Sequence, residues 1–288
     1  MSGRVRLLVA LATLLVLAVA PTTAERAEAA PSVQGVRCLA EARIDLLDNL
    51  FDSEPAGVVG ADYQRATALG DGRVLWTFQD AAVRLGPDEI AIVHNIAAIQ
   101  DGPCFSILYG GSRFDPEPFF FGDITQPFQR WYWPLGADTA NDGKVYVFVA
   151  EMEERGEEYL TQTVPVATHV VALDGQTLLP VGRSPAPNSS AALYGWSVTS
   201  DRQWTYLYAQ CHRQFGFSFA GHDPCAAEVY IARQPLDDSS ALLEYWDGQT
   251  WTRNSSSAAN IAPIDGSGGA RPSANPMQIE RDGDRWIA

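Results

Sequence analysis

Positive charge is scarce in this sequence. Twenty Lys and Arg stand against 35 Asp and Glu, for a formal net charge of −15. That sign argues against a nucleic-acid or anionic-membrane partner, since both need a basic footprint. Long helical patterns are few, and the one extended apolar run, Leu7 to Ala20, is 14 residues, too short to span a bilayer comfortably. Familiar catalytic signatures are missing too. There is no G-x-S-x-G elbow and no H-E-x-x-H, and the Gly266 to Arg271 stretch lacks the third glycine of a dinucleotide loop.

What is present first is a targeting segment. Arg4 and Arg6 precede the apolar run, and small residues follow it around Ala24 and Ala29, the layout of a secretory signal rather than of an anchor. Residues 1–29 are read as a signal peptide, 30–59 as an N-terminal segment with a flexible start at Ala30 to Gly35, and 60–288 as one domain. The expected location is secreted, extracellular or cell-wall associated, with no stable membrane insertion after cleavage; the oligomeric state is left open. Four cysteines in an exported chain suggest two disulfides, and the pairings favoured are Cys38 with Cys104 and Cys211 with Cys225. A metal site from Cys211, His212, His222 and Cys225 is the alternative, but its spacing fits no zinc-finger pattern, so no metal is assigned.

Eighteen prolines, 24 glycines and eight tryptophans point to a turn-rich β protein. The stretch Gly60 to Asp80 reads as a hairpin turning at Gly70-Asp71-Gly72, followed by alternation of Val74, Trp76 and Phe78. Symmetry about Asp71 pairs Ala66 with Trp76, Gln64 with Phe78, and Asp62 with Asp80. The hairpin recurs at Trp131 to Glu151, at Leu193 to Gln210 and from Ser273, with turns 59 to 81 residues apart. Further strands are expected at 89–100 and 104–110, at 168–173 and 177–181, and at 228–233 and 242–251. About four strands per unit predicts an all-β fold, a β-propeller with four-stranded blades, in preference to a β-sandwich. Five blades are expected. Because Ala288 falls inside the second strand of the fourth unit, the propeller is expected to be C-terminally incomplete here. Residues 39–51 are expected to form a short amphipathic helix through Ile44, Leu47 and Phe51.

Aligning the ends of the second strands places Asp80, Glu151 and Gln210 at equivalent positions, with Asp62, Trp133 and Tyr194 or Trp196 starting the first strands at that same end. Innermost strands line a propeller's channel, so these residues should form an acidic, aromatic funnel. Aromatic faces stack on sugar rings, and paired carboxylates divide acid from nucleophile or base when their environments separate their pKa values. Asp62, Asp80 and Glu151 are therefore the candidate catalytic groups, with Gln64, His94, Asn95, Trp133, Trp196 and Gln210 as candidate substrate contacts. The plain alternative is that the aspartates cap turns, that His94 is a hydrogen-bonded core residue, and that Glu151 belongs to the solvated acidic loop after it.

The motifs Asp62, then Asp71-Gly72-Arg73-Val74-Leu75-Trp76 through Asp80, then His94-Asn95, resemble the secreted actinobacterial family called domain of unknown function 4185. Tyr132-Trp133-Pro134, Val229 to Arg233 and Tyr245 to Trp251 continue the match. Members of that family resemble five-bladed propeller glycoside hydrolases, some grouped in glycoside hydrolase family 183 as endo-acting on mycobacterial D-arabinan. The resemblance implies a hydrolase of furanose polymers in cell-wall polysaccharide, with Asp62 and Asp80 at the family's acidic positions and His94-Asn95 at its His-Asn pair. Gln79 stands where the family has glycine and Ala81 where it has threonine. No cofactor is expected, with structural calcium left open. A non-catalytic carbohydrate-binding or surface-interaction propeller is the rival expectation.

Overall fold

The computed structural model describes residues 30–41, 43, 49–122, 129–154, 163–186, 188–189, 192–201, 203–211, 228–236, 241–261, 280–282 and 285–287. Residues 1–29, which the expected signal peptide covers, Cys225 of the expected second disulfide, and residues 42 and 44–48 of the expected helix lie outside them. The first sheet is assembled from β1 (Ser32–Cys38), β3 (Arg65–Ala68), β4 (Val74–Phe78), β7 (Ile96–Asp101) and β8 (Cys104–Ser112), in the order β1-β8-β7-β4-β3, with β9 (Asp115–Glu117) on β8. A small sheet of β2 (Val58–Ala61), β5 (Ala81–Gly86) and β6 (Glu89–Val93) lies beside it. The second sheet is the meander β10 (Arg130–Thr139), β11 (Lys144–Glu154), β12 (Thr163–Asp174) and β13 (Pro180–Pro185). The third runs β14 (Asn188–Ser189), β15 (Ala192–Ser200), β16 (Trp204–Cys211), β17 (Val229–Pro235), β18 (Glu244–Trp246) and β19 (Trp251–Thr252), and β20 (Glu280–Asp282) pairs with β21 (Arg285–Ile287).

The recurring hairpin is real and its register is the expected one. Ala66 faces Trp76, and Leu69 N–H reaches Arg73 C=O at 2.8 Å. Gly72 at φ 91° and Gly143 at φ 78° close equivalent three-residue turns, in which Asp71 and Asp142 each accept the amide two residues on at 3.0 Å. Left-handed φ is open to glycine without a Cβ clash, which is why both turns read Asp-Gly followed by a basic residue.

Successive meanders pack face to face through their first strands: β10 lies against β3 and β4, β15 against β10, and β20 against β15. This is the construction of a β-propeller. Strand β11 is apolar on both faces because both are covered. Val145, Val147 and Val149 join Leu75 and Leu108 toward the first sheet, whereas Phe148, Ala150 and Met152 join Trp196 and Leu207 toward the third. The innermost strands β10 and β15 are bulged at matching places, between Pro134 and Ala137 and between Tyr194 and Ser197. Glycines permit the close approach there: a Cβ on Gly136 would fall 2.6 Å from Val198 N.

Several expectations are corrected. The flexible N-terminal start is strand β1 from Ser32 onward, stapled to β8 by the Cys38–Cys104 disulfide at a directly paired position. The single strand expected over 89–100 is two, because the chain leaves the small sheet at Val93, turns at His94-Asn95 and enters the first sheet at Ile96. Strand β5 has no counterpart in the expected pattern. The strand expected over 242–251 breaks at Asp247, whose Oδ1 accepts two amides of a tight turn. Of the expected helix, the described ends Leu39 and Leu50 enter the core beside Phe78 and Phe105.

Candidate functional site

The hairpin of β3 and β4 does not end at its first and last regular residues. Beyond Phe78 the ladder continues into the small sheet, where Ala61 faces Ala81 in the same register. Asp62 and Asp80 sit in the link between the two sheets. Asp62 N–H donates to Asp80 C=O at 2.9 Å, Gln79 N–H donates to Asp62 C=O at 3.1 Å, and Asp80 N–H donates to the Asp62 carboxylate Oδ1 at 2.9 Å. The two carboxylates thus belong to adjoining backbone segments, as directly opposed residues should. Tyr63 follows Asp62 with φ 47°, a left-handed conformation costing roughly 1–2 kcal/mol in a residue with a Cβ. Strain at such a position often accompanies a functional site.

The Asp80 carboxylate is held by two neighbours. His94 Nδ1 lies 2.9 Å from its Oδ1, and Trp133 Nε1 donates to the same oxygen at 2.9 Å. Its Oδ2 has no hydrogen-bond partner among the described residues. His94 stacks on Trp131 with ring centroids 4.7 Å apart, and Trp131 meets Trp133 edge to face. The imidazole is therefore clamped between Asp80 and an indole, and the carboxylate takes hydrogen bonds from two different sheets.

Asp62 lies in a different environment. Burial of its carboxyl against the surrounding protein raises its pKa above the usual carboxylate value; the Asp80 amide opposes this and the Asp80 charge adds to it. The residue nonetheless keeps an exposed surface, so one side of the carboxyl is open to a ligand. A carboxyl biased toward its protonated form stands beside a second carboxyl fixed by His94 and Trp133, and paired carboxyls in unlike surroundings suit acid and base roles.

The remaining candidates are distributed as follows. Asn95 is fully buried and clamps the link before β10: its Nδ2 donates to Tyr132 C=O at 2.8 Å, and its Oδ1 accepts Phe120 N–H at 2.7 Å. It shapes the site from behind. Gln64 is exposed on the same link as Asp62. Trp196 is buried in the core between the second and third sheets and is not among the residues bonded to Asp80. Gln210 sits in β16 opposite Leu193 and Val229. Glu151 is 8 % exposed, with Oε2 at 2.9 Å from His169 Nε2 and Oε1 accepting from Arg130 at 2.8 Å. The His169 bond holds its carboxyl below the usual range, against burial and with help from Arg130. Both oxygens are engaged, which suits a structural anion better than a proton carrier.

Sequence reasoning missed Gln79, Tyr63, Trp131 and His169. Gln79, 3 % exposed, joins the site link to the second sheet through Nε2 to Pro134 C=O at 3.3 Å. Its replacement of a small residue beside Asp80 was the available signal.

The fold and site define an all-β protein of propeller construction with paired carboxylates at a junction between sheets. A family model, that of Domain of unknown function (DUF5005), matches residues 45–286, and the chain belongs to that family. The family shown is this one, and the match does not bear on the motif resemblance to domain of unknown function 4185. No curated protein matches the sequence. A solved structure from Bacteroides ovatus, provisionally described as a hydrolase, shares the fold with a TM-score of 0.56 at 17% identity, covering 80% of this chain and 63% of its own. This chain thus spans less than two thirds of that protein's length. The α-L-arabinofuranosidase of Fusarium graminearum from glycoside hydrolase family 93, solved with arabinobiose, aligns with a TM-score of 0.30 at 15% identity over 82% of this chain and 54% of its own, a likeness below the level that supports argument.

Proposed function

We propose that this protein is a secreted glycoside hydrolase acting on arabinofuranosyl linkages of cell-wall polysaccharide. The observation that carries the reading is the paired site itself: Asp62, pushed toward its acid form, beside Asp80, whose Oδ1 is fixed by His94 and Trp133. In this reading Asp62 protonates the departing glycosidic oxygen. Its Oδ1 keeps the Asp80 amide as donor, which leaves Oδ2 to carry the proton. Asp80 presents Oδ2 to the anomeric carbon, as nucleophile or as base for the attacking water. The half-buried Trp133 indole gives the site an apolar wall, with the fully buried Trp131 packed against His94 behind it. The motif resemblance supplies the substrate class, and the acidic net charge fits a neutral polysaccharide partner better than a polyanion.

Incubation of the purified protein with arabinan should release oligosaccharides. Asp62→Asn should remove the alkaline limb of the pH–rate profile along with most of the rate, because activity requires the protonated carboxyl and declines as pH rises through its raised pKa. The same raised pKa means that the folded state holds this proton more tightly than the unfolded chain. Wild-type stability therefore falls as pH rises from the unfolded to the folded pKa, and Asp62→Asn should not lower the melting temperature at neutral pH. Arabinan binding without product would sink the hydrolase reading in favour of a carbohydrate-binding propeller.

A further inference from the structure

The hydrolytic reading gives Trp131 no part in the chemistry. Trp131 is fully buried and belongs to the core between the second and third sheets, so it can touch no substrate. Its indole nonetheless lies flat against the His94 ring, with centroids 4.7 Å apart and planes 22° from parallel. His94 stands in the turn between β6 and β7, where the chain passes from the small sheet to the first. The stack therefore joins a side chain anchored in the second sheet to one that touches Asp80.

A ring stacked in this way keeps little freedom beyond turning in its own plane, and the contact of Nδ1 with Asp80 Oδ1 at 2.9 Å removes that too. Trp133 Nε1 donates to the same oxygen at 2.9 Å. An Asp80 that serves as nucleophile or base must be ionised and can then only accept, so Nδ1 carries the proton in its bond. Two donors thus converge on one oxygen. The terminal torsion of an aspartate is broad and roughly two-fold, so a carboxylate without such donors exchanges its two oxygens readily. Here one arrangement is selected, and Oδ2 is the oxygen left over.

We propose that His94 and Trp131 are a positioning pair for the reaction: His94 decides which Asp80 oxygen faces the anomeric carbon, and Trp131, without touching substrate, holds the plane of His94. The proposal rests on the hydrolytic reading, in which Asp80 Oδ2 is the reacting oxygen. Misplacing a reacting group by about 1 Å costs on the order of 10² in rate, so the pair acts on kcat more than on KM. A histidine stacked for packing alone would change the melting temperature and leave the turnover of the folded protein as it was.

The test is steady-state kinetics on arabinan, with thermal melting of the same samples. His94→Phe keeps a ring on Trp131 and removes the donor, so kcat should fall about 10²-fold with KM near wild type. His94→Asn returns an amide N–H close to where Nδ1 stood and should recover about tenfold of that loss. In an Asp80→Asn background His94→Phe should cost no further rate, because the carboxylate that it positions is gone. Trp131→Phe lowers the melting temperature by leaving a void, but it should lower kcat only where His94 is present. Should phenylalanine unfold the turn, His94→Ala is the second variant, and added imidazole should restore part of its rate; no restoration there would overturn the proposal. So would a wild-type kcat in His94→Phe, or a loss as large without the Asp80 carboxylate as with it. No product from the wild type would sink the hydrolytic reading and the proposal together, whereas an active wild type beside an equally active His94→Phe sinks the proposal alone.

Discussion

Asp80→Asn should lower kcat/KM on arabinan by about 10³-fold while the protein remains folded. The substitution is chosen for what it keeps. The asparagine Oδ1 can still accept from His94 and Trp133, which both approach Oδ1 at 2.9 Å, so the clamp on the side chain survives. What disappears is the negative charge and the basic Oδ2. A mutant with wild-type turnover would exclude Asp80 from the chemistry. A mutant that has lost both activity and its melting transition would instead place Asp80 among the residues that hold the two sheets together. Trp133→Phe separates these further, because it removes one of two donors from Asp80 and leaves the charge in place. Its effect on rate should be clearly smaller than that of Asp80→Asn.

Gly195→Ala should be strongly destabilising, at about 3 kcal/mol. Two effects combine. Gly195 has φ 113°, outside the range that L side chains adopt, a penalty of about 1–2 kcal/mol. Its added Cβ would also fall 2.4 Å from Phe148 Cδ1, and such overpacking costs about 1–3 kcal/mol. Phe148 cannot retreat easily, since it is 2 % exposed in the core shared by the second and third sheets. The melting temperature should drop by about 10 °C. Gly182→Ala is the control: nothing lies within 4 Å of its added Cβ and its φ is ordinary, so its midpoint should stay near wild type. Equal midpoints for the two mutants would mean that the sheets are not packed as described around Gly195.

The hairpins were legible in the sequence because their determinants are local. The Asp-Gly turn and the alternation after it specify both strands and their register, and the pairing of Ala66 with Trp76 follows from them. The Asp62–Asp80 pairing extends the same register. Strand β5 and the small sheet were not legible, since Ala81 to Gly86 carries little β-branched or aromatic character and owes its conformation to β2 and β6 on either side. The same holds for β1, which gains its order from pairing with β8 across a long loop. Within the site, the Asp80–His94 contact joins residues close in sequence and could be anticipated. The Trp133 bond to Asp80 and the engagement of Glu151 by His169 and Arg130 depend on how sheets and strands are placed, which no local pattern encodes. Trp196 shows the opposite error: repeat alignment sets it beside Trp133, but it lies inside the Tyr194–Ser197 bulge, which matches the Pro134–Ala137 bulge that follows Trp133, and it is buried in the core.

The hydrogen bond from Trp133 to Asp80 crosses from the second sheet to the first, as do those from Asn95 to Tyr132 C=O and from Gln79 to Pro134 C=O. The working geometry is therefore a property of a joint and not of either module. Neither sheet, folded perfectly by itself, would contain it. Selection on such a site acts on the fit between neighbouring repeats, so the first two units cannot be exchanged, duplicated or diverge independently in the way that repeats with self-contained sites can.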